Sequence, residues 1–401
     1  MSTQWEKTYR SIWLAQFTSI LGFAFALPFA PYYIQELGVT DPTEVKLWVA
    51  LFAAATPLSL AIFSPLWGAT SDRFGHRLMM LRANFSAVGV LALMGTVSSV
   101  EALIALRLLQ GALTGTLTAS QIMVAAHAPD DRSGRALGTL TAAVFSGATC
   151  GAALGGLFSD WFGYRPAFFM AAGFLLLSAI LILFGTRSLP DQPLPPGNAP
   201  AEAVNPVPAS TARAAFRLAL PLLLLTMVIS FVRQFDMAML PLLVQEIHGQ
   251  IKGVSVRTGA LLAVSSVAGM LAGVYLGRLA DRIHPSRLSV VGALLAALTM
   301  LPQALATAVW VLFPARFAMI FCTGGLETVT QIWLAKITPQ KHKGLIFGWA
   351  STTRSIGWGI APLAGGAVAA VYDIRAVFFT SAALFLMLIP LIWFTRKRIA
   401  E

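Results

Sequence analysis

The sequence predicts an all-α membrane protein, with twelve transmembrane helices in two pseudo-symmetric six-helix bundles. Three observations predict it. Of 401 residues, 57% are hydrophobic and 11% are charged, against about 25% charged in an average soluble domain. Apolar runs follow one another along the chain, each close to the roughly 20 residues that span hydrocarbon. The chain is also written twice. Gly68-Ala-Thr-Ser-Asp72-Arg73 returns 209 residues later as Gly277-Arg-Leu-Ala-Asp281-Arg282, and Arg107 returns as Arg316. A near-constant offset from end to end means two structurally equivalent halves.

Twelve spans are expected near residues 11–34, 47–69, 78–99, 101–123, 134–158, 164–186, 217–244, 258–280, 288–308, 310–334, 343–371 and 374–395. An even count puts both termini on one side. The net charge of +11 falls in short loops that alternate with basic-poor ones. With odd-to-even loops outside, 19 of 28 Lys/Arg lie on the termini and inner loops. That bias predicts cytoplasmic termini and argues against a nucleic-acid stripe. The first span is too long for a cleavable signal peptide. The expected location is the inner (plasma) membrane.

Taken in order, the first span carries Pro31 with Gln35-Glu36, which return in the seventh as Pro241 with Gln245-Glu246. The second span runs into Gly68-Ala-Thr-Ser-Asp72-Arg73-Phe-Gly75-His-Arg77. Gly68 lets two helices approach closely. Asp72 sits at a helix end, where a basic residue or a neighbouring helix N-terminus can pair with it. This loop resembles the G-x-x-x-D-R-x-G-R-R motif of the major facilitator superfamily, with His76 at the first of the two final basic positions. In that family the motif latches the inner gate. The resemblance places Gly68, Asp72, Arg73 and Arg77 there, with a weaker second copy at Gly277, Asp281 and Arg282 that lacks a counterpart of Gly75.

The fourth span holds Arg107-Leu-Leu-Gln110-Gly111, which resembles the family's R-x-x-Q-G pattern. An Arg within a span costs roughly 2.5–3.5 kcal/mol on insertion scales, so it should face protein or water. The resemblance implies proton transfer for Arg107 and its mate Arg316. Snorkelling to the interface is equally open from the residues alone. In the fifth span, Gly138, Gly147, Gly151, Gly155 and Gly156 resemble the family's antiporter motif, with Ala152 where the family has Pro. Small residues four apart strip side chains from one face and let backbones pack. In antiporters that seal opposes an uncoupled leak. The eleventh span carries the second copy, Gly357 and Pro362 to Gly366.

Between the halves lies a Pro-rich stretch, Leu189 to Ser210, expected to be an extended tether. The expected layout is a bundle at 1–187, a cytoplasmic linker at 188–214 and a bundle at 215–401. The seventh span places Arg233 and Asp236 three residues apart, whereas the equivalent first-span residues are Phe23 and Ala26. The duplicated scaffold therefore does not impose these charges. Glu327 lies eleven residues after Arg316 in the tenth span. An intramembrane acid is a functional candidate by default. Asp236 has a cation one turn away and is expected to stay ionised. Glu327 has none close in sequence and is the favoured proton carrier, with Asp236 as the second proton-coupling candidate. Candidate substrate-binding residues are Arg233, Asp236, Gln110, Gln331 and Arg354. Structural ion pairs between helices are the alternative reading.

Other chemistry is missing. No G-x-x-x-x-G-K-[ST] phosphate cradle exists. The five His lie in loops or at helix ends, without metal-ligand spacing. Cys150 and Cys322 fall inside apolar spans. Asn84-Phe-Ser86 matches a glycosylation pattern but sits within a span. No enzyme, metal or cofactor is expected. The resemblance implies a secondary active transporter of the drug:proton antiporter type. Its expected partners are a small-molecule substrate, protons and the bilayer; it is expected to be monomeric and to bind no nucleic acid. Export of a specific metabolite or siderophore, nutrient symport, or a receptor role on the same fold are the alternatives.

Overall fold

In the computed structural model the described residues are 4–114, 120, 123–124, 133–186, 209–250, 252–280, 283, 285–338 and 343–400. Among them every regular element is a helix. In chain order they are α1 (Gln4–Ala26), a 3-10 turn (Leu27–Phe29), α2 (Ala30–Glu36), α3 (Pro42–Phe74), α4 (His76–Met94) and α5 (Val100–Leu113). There follow α6 (Ser133–Phe162), α7 (Tyr164–Gly185), α8 (Ala209–Gln234), α9 (Leu240–His248) and α10 (Val254–Ala280). The last four are α11 (Pro285–Ala304), α12 (Val309–Ile337), α13 (Lys343–Val371) and α14 (Ile374–Ala400). These fill the twelve expected places, with α1–α2 as the first span and α8–α9 as the seventh. Nine helices among the described residues are long and apolar enough to cross a membrane, so this is a multi-pass membrane protein.

The first and seventh spans are not continuous helices. The chain breaks at Leu27–Phe29 in one and over residues 235–239 in the other. Pro28 and Pro31 account for the first break and Pro241 for the second. Proline has no N–H to donate and its ring crowds the carbonyl four residues back, so the helix must restart just ahead of it. The second span is longer than expected, beginning at Pro42 behind an Asp41 carboxylate that accepts from the N–H of Thr43 and Glu44 at 2.9 Å. The loop after it turns on Gly75, whose φ of 89° suits only glycine. Most of the expected tether lies outside the described residues, and residues 209–214, counted as its end, are the first turns of α8.

The described residues fall into two compact units. One takes those within 1–40, 59–201 and 250–267, the other those within 41–58, 202–249 and 268–401. The halves expected from the repeat therefore exchange two segments, the start of α3 and the start of α10. In the first unit α1 packs between α6 and α7, and α4 against α7. Its core includes Ile12, Ala15, Met80, Leu140 and Ile182. In the second unit α8 packs on α13 and α14, and α12 on α11.

Candidate intramembrane charge site

The charged residues of the seventh and tenth spans meet in the second unit, but with partners the sequence did not suggest. Asp236 sits in the break between α8 and α9 and pairs with the Arg316 guanidinium of α12, and both side chains are fully buried. The Ser381 hydroxyl donates to Asp236 Oδ1 at 3.5 Å. Arg316 also reaches Gln303 Oε1 at 3.5 Å and the Met237 sulfur at 3.2 Å. Arg233, one turn before Asp236, points elsewhere. Its Nη1 lies 3.0 Å from Glu327 Oε1, which also accepts from Ser230 Oγ at 3.3 Å.

Two expectations are corrected here. Arg233 and Asp236 are not partners, because the helix ends at Gln234 and the break redirects Asp236. Glu327 does have a cation beside it, delivered by α8 rather than by its own helix. Arg316 and Glu327 are about 16 Å apart along α12 at 1.5 Å per residue, so they serve two separate levels. The two levels differ in access. Asp236 and Arg316 are 0% exposed, whereas the Arg233 and Glu327 side chains are 24% and 17% exposed. The first pair is sealed; the second can be reached.

The first unit is built differently at the matching places. Arg107 is buried in α5 rather than snorkelling, and its Nη1 donates to Gln110 Oε1 at 2.5 Å. The position equivalent to Asp236 is Ala26. Two further candidates are half-buried: Arg354 lies over the Trp358 ring at 5.7 Å, and Gln331 is on α12.

The glycines of α6 pack directly on α1. A Cβ at Gly147 would meet Phe17 O at 2.6 Å and one at Gly151 would meet Leu21 O at 2.5 Å, while one at Gly155 would strike Phe25 O. The contacted carbonyls advance by four residues, so one ridge of α1 fills one groove of α6. The second unit repeats this, with Gly357 against Met227 O and Gly365 against Phe235 O. Gly138 stands apart, with open space where its side chain would be.

At the expected inner gate, Arg77 donates from Nε to Thr186 Oγ1 and from Nη2 to the Leu183 carbonyl, both at 3.0 Å, tying the start of α4 to the end of α7. Gly68, Asp72 and Arg73 lie in the last turns of α3 and Gly277 in α10, without described side chains. Asp281 and Arg282 lie outside the described residues. The sequence reading overlooked Ser230, Gln303 and Ser381. The signal was available: each is a fully buried polar residue in an apolar span, and such a residue needs a partner.

The sequence profile of the Major Facilitator Superfamily matches residues 12–250 and 222–401. The chain is 32% identical over 394 residues to "Multidrug resistance protein MdtG" of Salmonella heidelberg (strain SL476), covering 98% of this chain and 96% of that relative. The same figures hold for the protein of that name from Salmonella typhimurium (strain LT2). Among solved structures, the fold matches the nucleoside transporter NupG with a TM-score of 0.79 at 12% identity, covering 97% of this chain and 99% of that one. It also matches a bacterial homologue of the human lysosomal transporter Spinster in an inward-facing and occupied conformation, with a TM-score of 0.77 at 14% identity, covering 99% and 98%. With the duplicated halves, the loop motif and the buried charges, these matches place the chain in the major facilitator superfamily of secondary transporters.

Proposed function

We propose that this transporter exports small amphipathic compounds across the inner membrane in exchange for protons, by alternating access, with both termini in the cytoplasm and without enzymatic activity. The full-length similarity to proteins named for multidrug resistance supports the substrate class. The glycine face of α6, which resembles the antiporter motif, supports exchange over symport. In this reading the two six-helix halves move relative to one another, joined by the stretch that precedes α8 at Ala209, a single chain suffices, and the motif at Gly68, Asp72, Arg73 and Arg77 closes the inner gate.

One observation carries the mechanism: of the two pairs that join α8 or its break to α12, Asp236–Arg316 is sealed and Arg233–Glu327 is accessible. Glu327 is then the residue that takes up and gives back the proton. As a carboxylate it holds Arg233. Once protonated it no longer does, and Arg233 is free to reorient toward substrate or water. Asp236–Arg316 acts as the fixed strut that holds the broken seventh span against α12. In the first unit the mate of Arg316, Arg107, is held within its own helix by Gln110 instead, so that unit has no such strut at the matching place. Gln331 and Arg354 contact substrate.

The test is Glu327→Gln in proteoliposomes, with a panel of dyes, antibiotics and iron chelators as substrates. The expected result is loss of proton-driven transport with substrate binding retained. Proton-coupled export that survives in Glu327→Gln but fails in Asp236→Asn moves the carrier role to the sealed pair. A single transported chelator or metabolite, with no dye or drug moved, replaces broad efflux with export of one compound.

A further inference from the structure

The start of α10 is held by the first half of the chain through a polar cluster that the transport reading does not use. Residue Gly253 precedes α10 with φ of 82°, and as a glycine it has no side chain with which to cap the helix. Asp160, near the end of α6, takes that role from another helix. Its carboxylate accepts from the backbone N–H of Gly253 and of Ser255, and from the Ser255 hydroxyl. Such a capping carboxylate satisfies donors that a helix start leaves open and sits at the positive end of its dipole. Arg257, whose Nη1 donates to the Gly253 carbonyl at 3.0 Å, adds attraction to Asp160. The Tyr164 hydroxyl bonds Ser255 Oγ at 3.0 Å, and the Tyr32 hydroxyl bonds Thr258 Oγ1 at 2.7 Å. Below them the backbones touch: a Cβ at Gly156 would strike Ser255 O, and one at Gly259 would strike Ala152 O.

The duplicated scaffold supplies the close crossing but not the clasp. In the second unit Gly366 of α13 meets Ala50 and the Lys46 carbonyl of α3, which are the mates of Gly156, Gly259 and Ser255. There the positions of Asp160, Tyr164, Tyr32 and Thr258 are Ala370, Ile374, Leu242 and Val49. The polar groups were added to one crossing only, so helix packing alone does not account for them.

We propose that Asp160, Tyr164 and Tyr32, gripping Ser255 and Thr258, form a one-sided latch at the outer ends of α6 and α10 that sets how readily this transporter opens outward. The assignment to the outer face follows from the loops at 163 and 249–253 joining odd to even spans, the side that carries the fewer Lys and Arg along the whole chain, and the inference rests on transport by alternating access. Opening outward must part segments that belong to different halves of the sequence. Here that means removing an anionic cap from a helix start and breaking two hydroxyl bonds together. The positions act on gating and touch no substrate.

The test measures a distance in the full chain in lipid nanodiscs. With Cys150 and Cys322 replaced by Ala, spin labels go on Trp161→Cys and Val256→Cys, both at exposed positions outside the latch. Paired electron-spin distances should show one dominant short population in this background. Asp160→Ala should raise the ratio of separated to closed populations roughly fivefold, the equivalent of one helix cap. Tyr164→Phe, which removes one hydroxyl and little else, should move the ratio the same way by a smaller factor. Unchanged distance distributions in both variants overturn the latch and leave the transport reading standing. Absence of export from the unsubstituted chain sinks the transport reading without touching the distances.

Discussion

Removing one member of the sealed pair should cost far more than removing both. Asp236 and Arg316 are wholly buried, so neither can turn to water when its partner is lost. The fallback partners are weak. Arg316 has Gln303 Oε1 at 3.5 Å and a buried Nε with no acceptor among the described residues. Asp236 has Ser381 Oγ at 3.5 Å. Breaking a buried pair by deleting one ion costs about 3–5 kcal/mol, because the other stays charged and uncompensated. Replacing both by neutral groups of similar volume is often close to neutral. Asp236→Asn and Arg316→Met should each therefore destabilise by about 3–5 kcal/mol. The double variant should therefore cost less than either single, so the coupling between the two sites exceeds about 2 kcal/mol. The assay is reversible unfolding in mixed micelles by SDS titration, read by tryptophan fluorescence. Additivity to within about 0.5 kcal/mol is the behaviour of independent sites. Finding it would refute the argument that these two charges exist for each other.

The remaining predictions concern the helix faces. Gly151→Leu should weaken the seal between α1 and α6, since even the first carbon of the new side chain falls 2.5 Å from the Leu21 carbonyl. Overpacking of that kind costs on the order of 1–3 kcal/mol. Proton leak through proteoliposomes without substrate should rise, and a leak equal to that of the unsubstituted protein would dismiss the seal. Gly138→Leu, at a site with open space, should leave the leak unchanged. Asp72→Asn and Gly68→Leu should abolish export at equal membrane abundance, with milder effects at Asp281 and Gly277; normal export in the first two would remove the inner gate from that loop.

Much of the site was readable before any coordinates. An Arg or an acid inside an apolar span is too costly to be incidental, so Arg107, Arg233, Asp236, Arg316 and Glu327 stood out from their places in the sequence. Their pairing was not readable. Neighbours along a helix were the natural guess for Arg233 and Asp236, and the break at 235–239 invalidated it. Even that break had a trace in the sequence, since Pro31 and Pro241 recur at the repeat offset and each restarts a helix. Ser230, Gln303 and Ser381 escaped notice because hydroxyls and amides are common in spans, and only burial marks these three as partners.

By itself the sequence determined the duplicated twelve-span plan, the superfamily and the identity of the charged residues. These follow from local facts: the thickness of hydrocarbon fixes span length, the cost of a buried ion singles out each charge, and glycine and proline limit the backbone where they occur. Only the tertiary structure decided which residues meet. Arg316 meets Asp236, and Glu327 meets Arg233, because α8 breaks where it does and reaches α12 at both heights. Asp160 caps α10 because two glycine-lined backbones come into contact there. Each of these partners lies 80 residues or more away along the chain, and periodicity carries no information over that range. Packing between helices sets the register, and the register decides which charged pair is sealed and which stays partly exposed.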